Sequence, residues 1–293
     1  MHLRLAVLAV AGVLIACALA AQTLPSFDIE ECKSCHDEAV FTNFQHTYHA
    51  TKVRESCAAC HGDVAAHAKS ELAGEGPGPV VSMRSLQPRA VNEKCLSCHD
   101  NGRQANWHGG THDRRQVSCT NCHSVHFFKS QRSQLRTERE SETCFTCHQQ
   151  VRSMNLRTSH HPIREGKLDC GNCHDPHKNE KGLLKADSVN DLCQSCHADK
   201  RGPFLWEHAP VRENCTLCHQ PHGSNHEKLL VAKMPWLCQR CHLNTRHPGS
   251  LYDVRNATVT GTSPSNRAVE HGCRNCHVQI HGTNSPSGPY LGR

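Results

Sequence analysis

Apolar residues form one continuous run near the start of the chain and are scattered after it. Leu5 to Leu19 is almost wholly apolar, and no second run of that kind follows in the 293 residues. Behind it the pattern supports only short helices. Ser188 to His197 is the clearest, with Ser188 placed to cap its first turn. Gly74 to Pro88 and Pro248 to Arg267 are rich in Gly, Pro, Ser and Thr and read as longer loops.

The N-terminal run has the form of an export signal. Arg4 supplies a basic start, and Ala18-Leu19-Ala20 has the small-x-small form of a cleavage site. The expectation is a signal peptide over 1–20 and a mature chain over 21–293. Leu14-Ile15-Ala16-Cys17 also fits a lipobox, in which Cys17 becomes the lipidated first residue, so a second processing route stays open. The run is short for a membrane span.

Composition then raises a packing problem. Only 37% of residues are hydrophobic, with three Trp, three Tyr and seven Phe, and mean hydropathy is -0.61. A chain of this size normally buries a large aliphatic and aromatic core. Something other than side chains must fill the interior, or the chain is disordered.

The cysteines remove the second option. Twenty of the 21 fall into ten copies of Cys-x-x-Cys-His. The thiol pairs are Cys32 and Cys35, Cys57 and Cys60, Cys95 and Cys98, Cys119 and Cys122, Cys144 and Cys147, Cys170 and Cys173, Cys193 and Cys196, Cys215 and Cys218, Cys238 and Cys241, and Cys273 and Cys276. Their histidines are His36, His61, His99, His123, His148, His174, His197, His219, His242 and His277. Two thiols on one turn can each form a thioether with one haem, and the next residue then offers its imidazole to the iron. Zinc sites would want thiols in fours and would not demand a histidine after every pair. The pattern therefore predicts ten c-type haems. With motif starts 22 to 38 residues apart, no haem can have a core of its own, so the haems must themselves form the core.

Each iron needs a sixth ligand. Beyond the signal only Met83, Met154 and Met234 are available, whereas fifteen histidines lie outside the motifs and every inter-motif segment holds at least one. Bis-histidine ligation follows, which lowers the potential and leaves no open position for substrate. The expected distal ligands are His49, His67, His112, His126, His160, His177, His208, His222, His247 and His281. Those three or four residues past a motif, such as His126, His177, His222 and His281, sit on the wrong side of their own haem and are expected to ligate a neighbour. His46, His108, His161, His226 and His271 are left over as surface groups or propionate partners. His160 is preferred to His161 because His160-x-Pro162-Ile163-Arg164-Glu165 aligns with His208-x-Pro210-Val211-Arg212-Glu213.

That alignment belongs to a repeat carrying two motifs, His160 to His197 and again His208 to His242. Leu183-Leu184 and Leu229-Leu230 recur in it and are expected against haem faces, as are Trp107, Trp206 and Trp236 at haem edges. The formal charge of +6 is not a nucleic-acid signature. Ten ferric haems with their propionates turn it to about -5 in the mature holoprotein, and no nucleic-acid motif is present.

Thr47-Tyr48-His49-Ala50, CHGDVAAH, Trp107-His108-Gly109-Gly110-Thr111-His112, SHHPIREGKLDCGNCHDPH and the closing CRNCHVQIHGTNSPSG resemble decahaem cytochromes of the MtrA/DmsE type across nearly the whole mature chain. The resemblance implies an elongated multihaem cytochrome c of irregular loops and short α-helices around a chain of ten haems, with little or no β-sheet. It further implies two related pentahaem halves, about 21–155 and 156–293. The setting it implies is the periplasm, with insertion into an outer-membrane β-barrel porin. The other partners are an inner-membrane quinol dehydrogenase or periplasmic cytochromes on one side, and an extracellular multihaem cytochrome or terminal reductase on the other. Two rival functions remain, a multihaem reductase with one open haem and a soluble periplasmic electron shuttle. No catalytic constellation of an ordinary enzyme competes with them.

Overall fold

The computed structural model describes residues 29–53, 56–242, 272–286 and 288–291. The expected signal peptide, Cys17, the Pro248 to Arg267 loop, His247 and His271 lie outside them. The chain divides into two units, one of Met1–Cys98 with His123–Phe128, the other of His99–Cys122 with Lys129–Arg293.

In the first unit the helices are α1 (Ile29–Cys32), α2 (Glu38–Phe44), α3 (Tyr48–Lys52), α4 (Ser56–His61), α5 (Val64–Leu72) and α6 (Pro88–Leu96). Polar caps set their starts: Thr47 accepts from the Ala50 amide ahead of α3, Asp63 from the Ala66 amide ahead of α5, and Pro88 opens α6. Residues between Leu72 and Pro88 form the expected loop, and its Val81 pairs back onto His61.

The second unit holds α7 (Thr111–Arg114), α8 (Cys119–Cys122), α9 (Glu140–Phe145), α10 (Gln149–Asn155), α11 (Val189–Gln194), α12 (Ala209–Glu213) and α13 (Trp236–Gln239), with 3-10 turns between. Ser188 caps α11 as expected, accepting from the Asp191 amide. Among the described residues β structure is confined to isolated bridges, such as His174 with Leu184 and His219 with Leu230, and no helix is long and apolar enough to cross a membrane.

Odd and even motifs are built differently. The first cysteine of an odd motif is the end of a helix that runs into it: Cys144 in α9, Cys193 in α11, Cys238 in α13. Later even motifs are single 3-10 turns beginning at the cysteine, Cys170–Asn172, Cys215–Leu217 and Cys273–Asn275. Both close in the same way. The histidine amide donates to the carbonyl of the first cysteine, at 3.0 Å for His148 and 2.9 Å for His174. That one turn sets two thiols and an imidazole on a common flank.

Among the described residues the buried apolar side chains are Phe41, Phe44, Val91 and Leu96 in the first unit and Trp107 in the second. Each contributes about 1.5–3 kcal/mol, while ordering every residue costs about 1–2 kcal/mol. Side-chain burial of that extent cannot hold either unit together, so a large apolar group must line the interior.

Candidate functional site

Imidazoles from the motifs face imidazoles from elsewhere at one recurring distance. In the first unit His36 faces His67 with ring centroids 6.0 Å apart, and His61 faces His126 at 6.1 Å. In the second, His148 faces His112 at 6.2 Å, His174 faces His222 at 6.0 Å, His197 faces His161 at 6.4 Å, His219 faces His281 at 6.2 Å and His242 faces His208 at 6.2 Å. Ring packing alone allows separations of about 4.5 to 7 Å and demands no single value. Two histidines on opposite sides of one metal, each with a metal–nitrogen bond of about 2 Å, require a centroid separation of about 6 Å. Among the described residues no three His, Cys, Asp or Glu side chains converge as a zinc site needs. Each facing pair has a thiol pair on its flank instead, the donor set of a covalently held haem.

The ring nitrogens are already sorted for that role. On the side facing the motifs, Nδ1 lies 2.6 Å from the Pro77 carbonyl for His67, 3.1 Å from Val40 for His126, 3.0 Å from Pro176 for His112, 2.8 Å from Pro221 for His161 and 2.9 Å from Ile280 for His208. A carbonyl only accepts, so Nδ1 carries the proton and Nε2 keeps its lone pair for a metal. Among motif histidines, His61, His174, His219 and His277 donate likewise to Val81, Gly182, Lys228 and Tyr290, at 2.6 to 2.9 Å. Burial holds His126, His208, His222 and His281 below the usual imidazole value, which keeps the neutral, ligating form.

Even motifs obtain their acceptor from a loop that folds straight back. Gly182-Leu183 and Lys228-Leu229 have positive φ, turning the Gly182 and Lys228 carbonyls onto His174 and His219. Amides of Lys185 and Val231 then donate to Cys173 and Cys218. The recurrent leucine pairs are thus turn elements as well as half-buried side chains.

His161 replaces His160 opposite His197. Both nitrogens of His160 are engaged elsewhere: Nδ1 lies 2.7 Å from the Arg157 carbonyl and Nε2 3.1 Å from Glu165 Oε1. That contact holds the Glu165 carboxyl below its usual range. The geometry places His161, one residue past the aligned His160, opposite the motif, because the pairing of Ser159 with Ser224 brings the Pro221 carbonyl to His161. His49 lies on α3, and His177 packs beside Trp107 with Nδ1 3.5 Å from Asp175. Of the other histidines, His46 and His108 are exposed and His226 is half-buried. Trp107 is buried as expected, whereas Trp236 is 70% exposed.

Thiols show which motifs are neighbours. In the first unit Cys60 lies within electrostatic reach of Cys95 and Cys98. In the second, Cys122 pairs with Cys147, Cys144 with Cys170, Cys173 with Cys196, Cys193 with Cys215, Cys218 with Cys241 and Cys238 with Cys273. Second cysteines meet second cysteines, then first meet first, in strict alternation along consecutive motifs. Burial, reinforced by these neighbours, pushes Cys193 and Cys238 up to about 11.

A family model for the doubled CXXCH motif matches residues 108–153, 160–202 and 208–247. Each match spans one couple of motifs whose second cysteines meet, and each starts at, or up to four residues ahead of, the histidine that faces its own second motif: His112 for His148, His161 for His197, His208 for His242. Over 277 residues the chain is 38% identical to the Multiheme cytochrome MtrA of Shewanella baltica (strain OS185), covering 90% of this chain and 81% of that protein. With its doubled motifs, its helix-poor fold and its facing histidines, the chain belongs to the MtrA family of multihaem c-type cytochromes.

Proposed function

We propose that the chain is an electron carrier holding ten bis-histidine c-type haems, and that it carries electrons between the periplasm and the cell exterior within a porin–cytochrome complex. The observation that carries the reading is the set of seven facing imidazole pairs at 6.0 to 6.4 Å. The bound groups supply reversible one-electron chemistry at iron. The chain's own contribution is to hold, orient and saturate them.

The proposed distal ligand set is His67, His112, His126, His161, His208, His222 and His281, with His49, His177 and His247 completing the ten. A regular stitch underlies it. Histidines of the fifth, seventh and ninth motifs take a partner from two segments earlier, and those of the second, sixth and eighth from two segments later. Each haem thus ties together stretches that lie far apart in sequence, replacing the missing hydrophobic core. In the second unit consecutive motifs from the fourth to the tenth are neighbours, so chain order is there also the proposed order of the redox row. Saturated iron argues for a carrier and against a reductase. Periplasmic location and a β-barrel partner rest on membership of the MtrA family together with the export-type N-terminus.

Carbon monoxide addition to the dithionite-reduced holoprotein tests the reading. An unchanged Soret band supports it, with ten haems per chain by pyridine haemochrome. A CO adduct in the wild-type protein exposes an open iron and overturns it in favour of a reductase. Co-purification with an outer-membrane barrel protein tests the partner, and its absence from intact membranes would leave a diffusing shuttle.

A further inference from the structure

One of the seven facing pairs has a different orientation from the rest. Interplanar angles are 13° for His219 and His281, 23° for His174 and His222 and for His208 and His242, 37° for both pairs of the first unit, and 48° for His161 and His197. His112 and His148 stand at 78°. His112 is fixed in that plane from two directions. Its Nδ1 donates to the Pro176 carbonyl at 3.0 Å, and its ring lies nearly parallel, at 16°, to the indole of Trp107. Trp107 is only 6% exposed and also packs on His177, with ring centroids 6.1 Å apart. It follows the 3-10 turn Gly102–Asn106 and is anchored by its amide on the Gln104 carbonyl.

We propose that Trp107 is a positioning residue that crosses the axial imidazoles at the fifth motif and so makes that haem electronically distinct. This rests on the bis-histidine reading above. Parallel axial planes donate into one iron dπ orbital and split it from its partner; that splitting stabilises the ferric state. Crossed planes donate into both orbitals, leave them nearly degenerate and remove the stabilisation. The fifth centre therefore binds its electron more tightly than the same centre with parallel planes would. It also gives a strongly anisotropic low-spin ferric signal of large gmax instead of the ordinary rhombic one. Orientation of ligands by a surrounding shell is a recognised means of tuning a metal.

The test is low-temperature EPR of the fully oxidised holoprotein, with a redox titration, on the wild type and on Trp107→Leu and Trp107→Phe. The wild type is expected to show a large-gmax component. Trp107→Leu is expected to convert one haem's share of it to a rhombic signal and to shift one midpoint downward. Trp107→Phe, which keeps a smaller ring, narrows gmax in the same direction and serves where the leucine variant does not mature. Absence of the component in the wild type, or its persistence in both Trp107 variants, overturns the proposal. A CO adduct in the wild type instead overturns the ligation reading beneath it, so the two failures are distinguishable.

Discussion

His161 faces His197 with ring centroids 6.4 Å apart, while the adjacent His160 is turned to Glu165. The two histidines are neighbours in sequence and turned to different partners. His161→Ala is expected to open one iron, so that the reduced variant forms a CO adduct that the wild type lacks. His160→Ala removes the contacts to the half-exposed Glu165 and to the Arg157 carbonyl but no ring facing a motif histidine, and is expected to leave the Soret band unchanged. CO difference spectra of the two variants check this. The reverse result would restore His160 as the ligand.

Gly223 follows His222 directly, and its backbone has φ +139°. A Cβ there would run into the Met154 carbonyl. Gly223→Ala must therefore move either the end of α10 or the turn that carries His222, at a cost of about 1–3 kcal/mol or more. Expected outcomes are a lower thermal midpoint and a partial CO adduct from the loosened His174 centre, with haem content unchanged. An unaltered midpoint and spectrum would show that the close approach is not maintained in solution.

Much of this was legible in sequence because covalent haem attachment needs a fixed local pattern. The motif turns and the shortage of aliphatic core follow from spacing and composition. His67, His112, His126, His208, His222 and His281 each face a motif histidine, as their segments suggested. The choice between His160 and His161 was not legible, since it depends on a carbonyl at Pro221, sixty residues away. Nor was the stitch legible. A cysteine motif specifies its own turn but says nothing about which distant segment crosses the other face of its haem. Plane angles such as that of His112 depend on a tertiary contact with Trp107, which no periodicity records.

Ser188 carries a smaller effect. Its hydroxyl accepts from the Asp191 amide at 3.0 Å and donates to the Asp191 carboxylate at 2.5 Å. The helix it starts, α11, delivers Cys193. Ser188→Ala is expected to cost about 1 kcal/mol, while Ser188→Thr, which keeps a hydroxyl that both accepts and donates, largely restores the cap. Thermal unfolding followed by circular dichroism separates them, and equal midpoints for all three proteins would show that the cap contributes nothing measurable.

Asn190 is the most informative polar residue outside the haem ligands. Its Nδ2 donates to the carbonyls of Val211 at 3.0 Å and Arg212 at 2.9 Å, and its Oδ1 accepts from the Cys215 amide at 2.8 Å. One side chain on α11 therefore holds the end of α12 and the opening of the eighth motif, and this brings Cys193 beside Cys215. The preceding couple uses other residues for the same task, with the Glu140 carboxylate accepting from the Gly171 amide. Net, each bond contributes about 0.5–1.5 kcal/mol, so Asn190→Ala is expected to lower stability by about 2–3 kcal/mol. Asn190→Asp keeps the acceptor for Cys215 but turns a carboxylate oxygen onto the two carbonyls, and is expected to be at least as destabilising as alanine. If the side chain fixes the spacing of the seventh and eighth motifs, the alanine variant also changes the magnetic coupling between their irons at unchanged haem content. Loss of stability with no change in that coupling would reduce Asn190 to a general packing residue, because only the positioning role predicts an electronic effect.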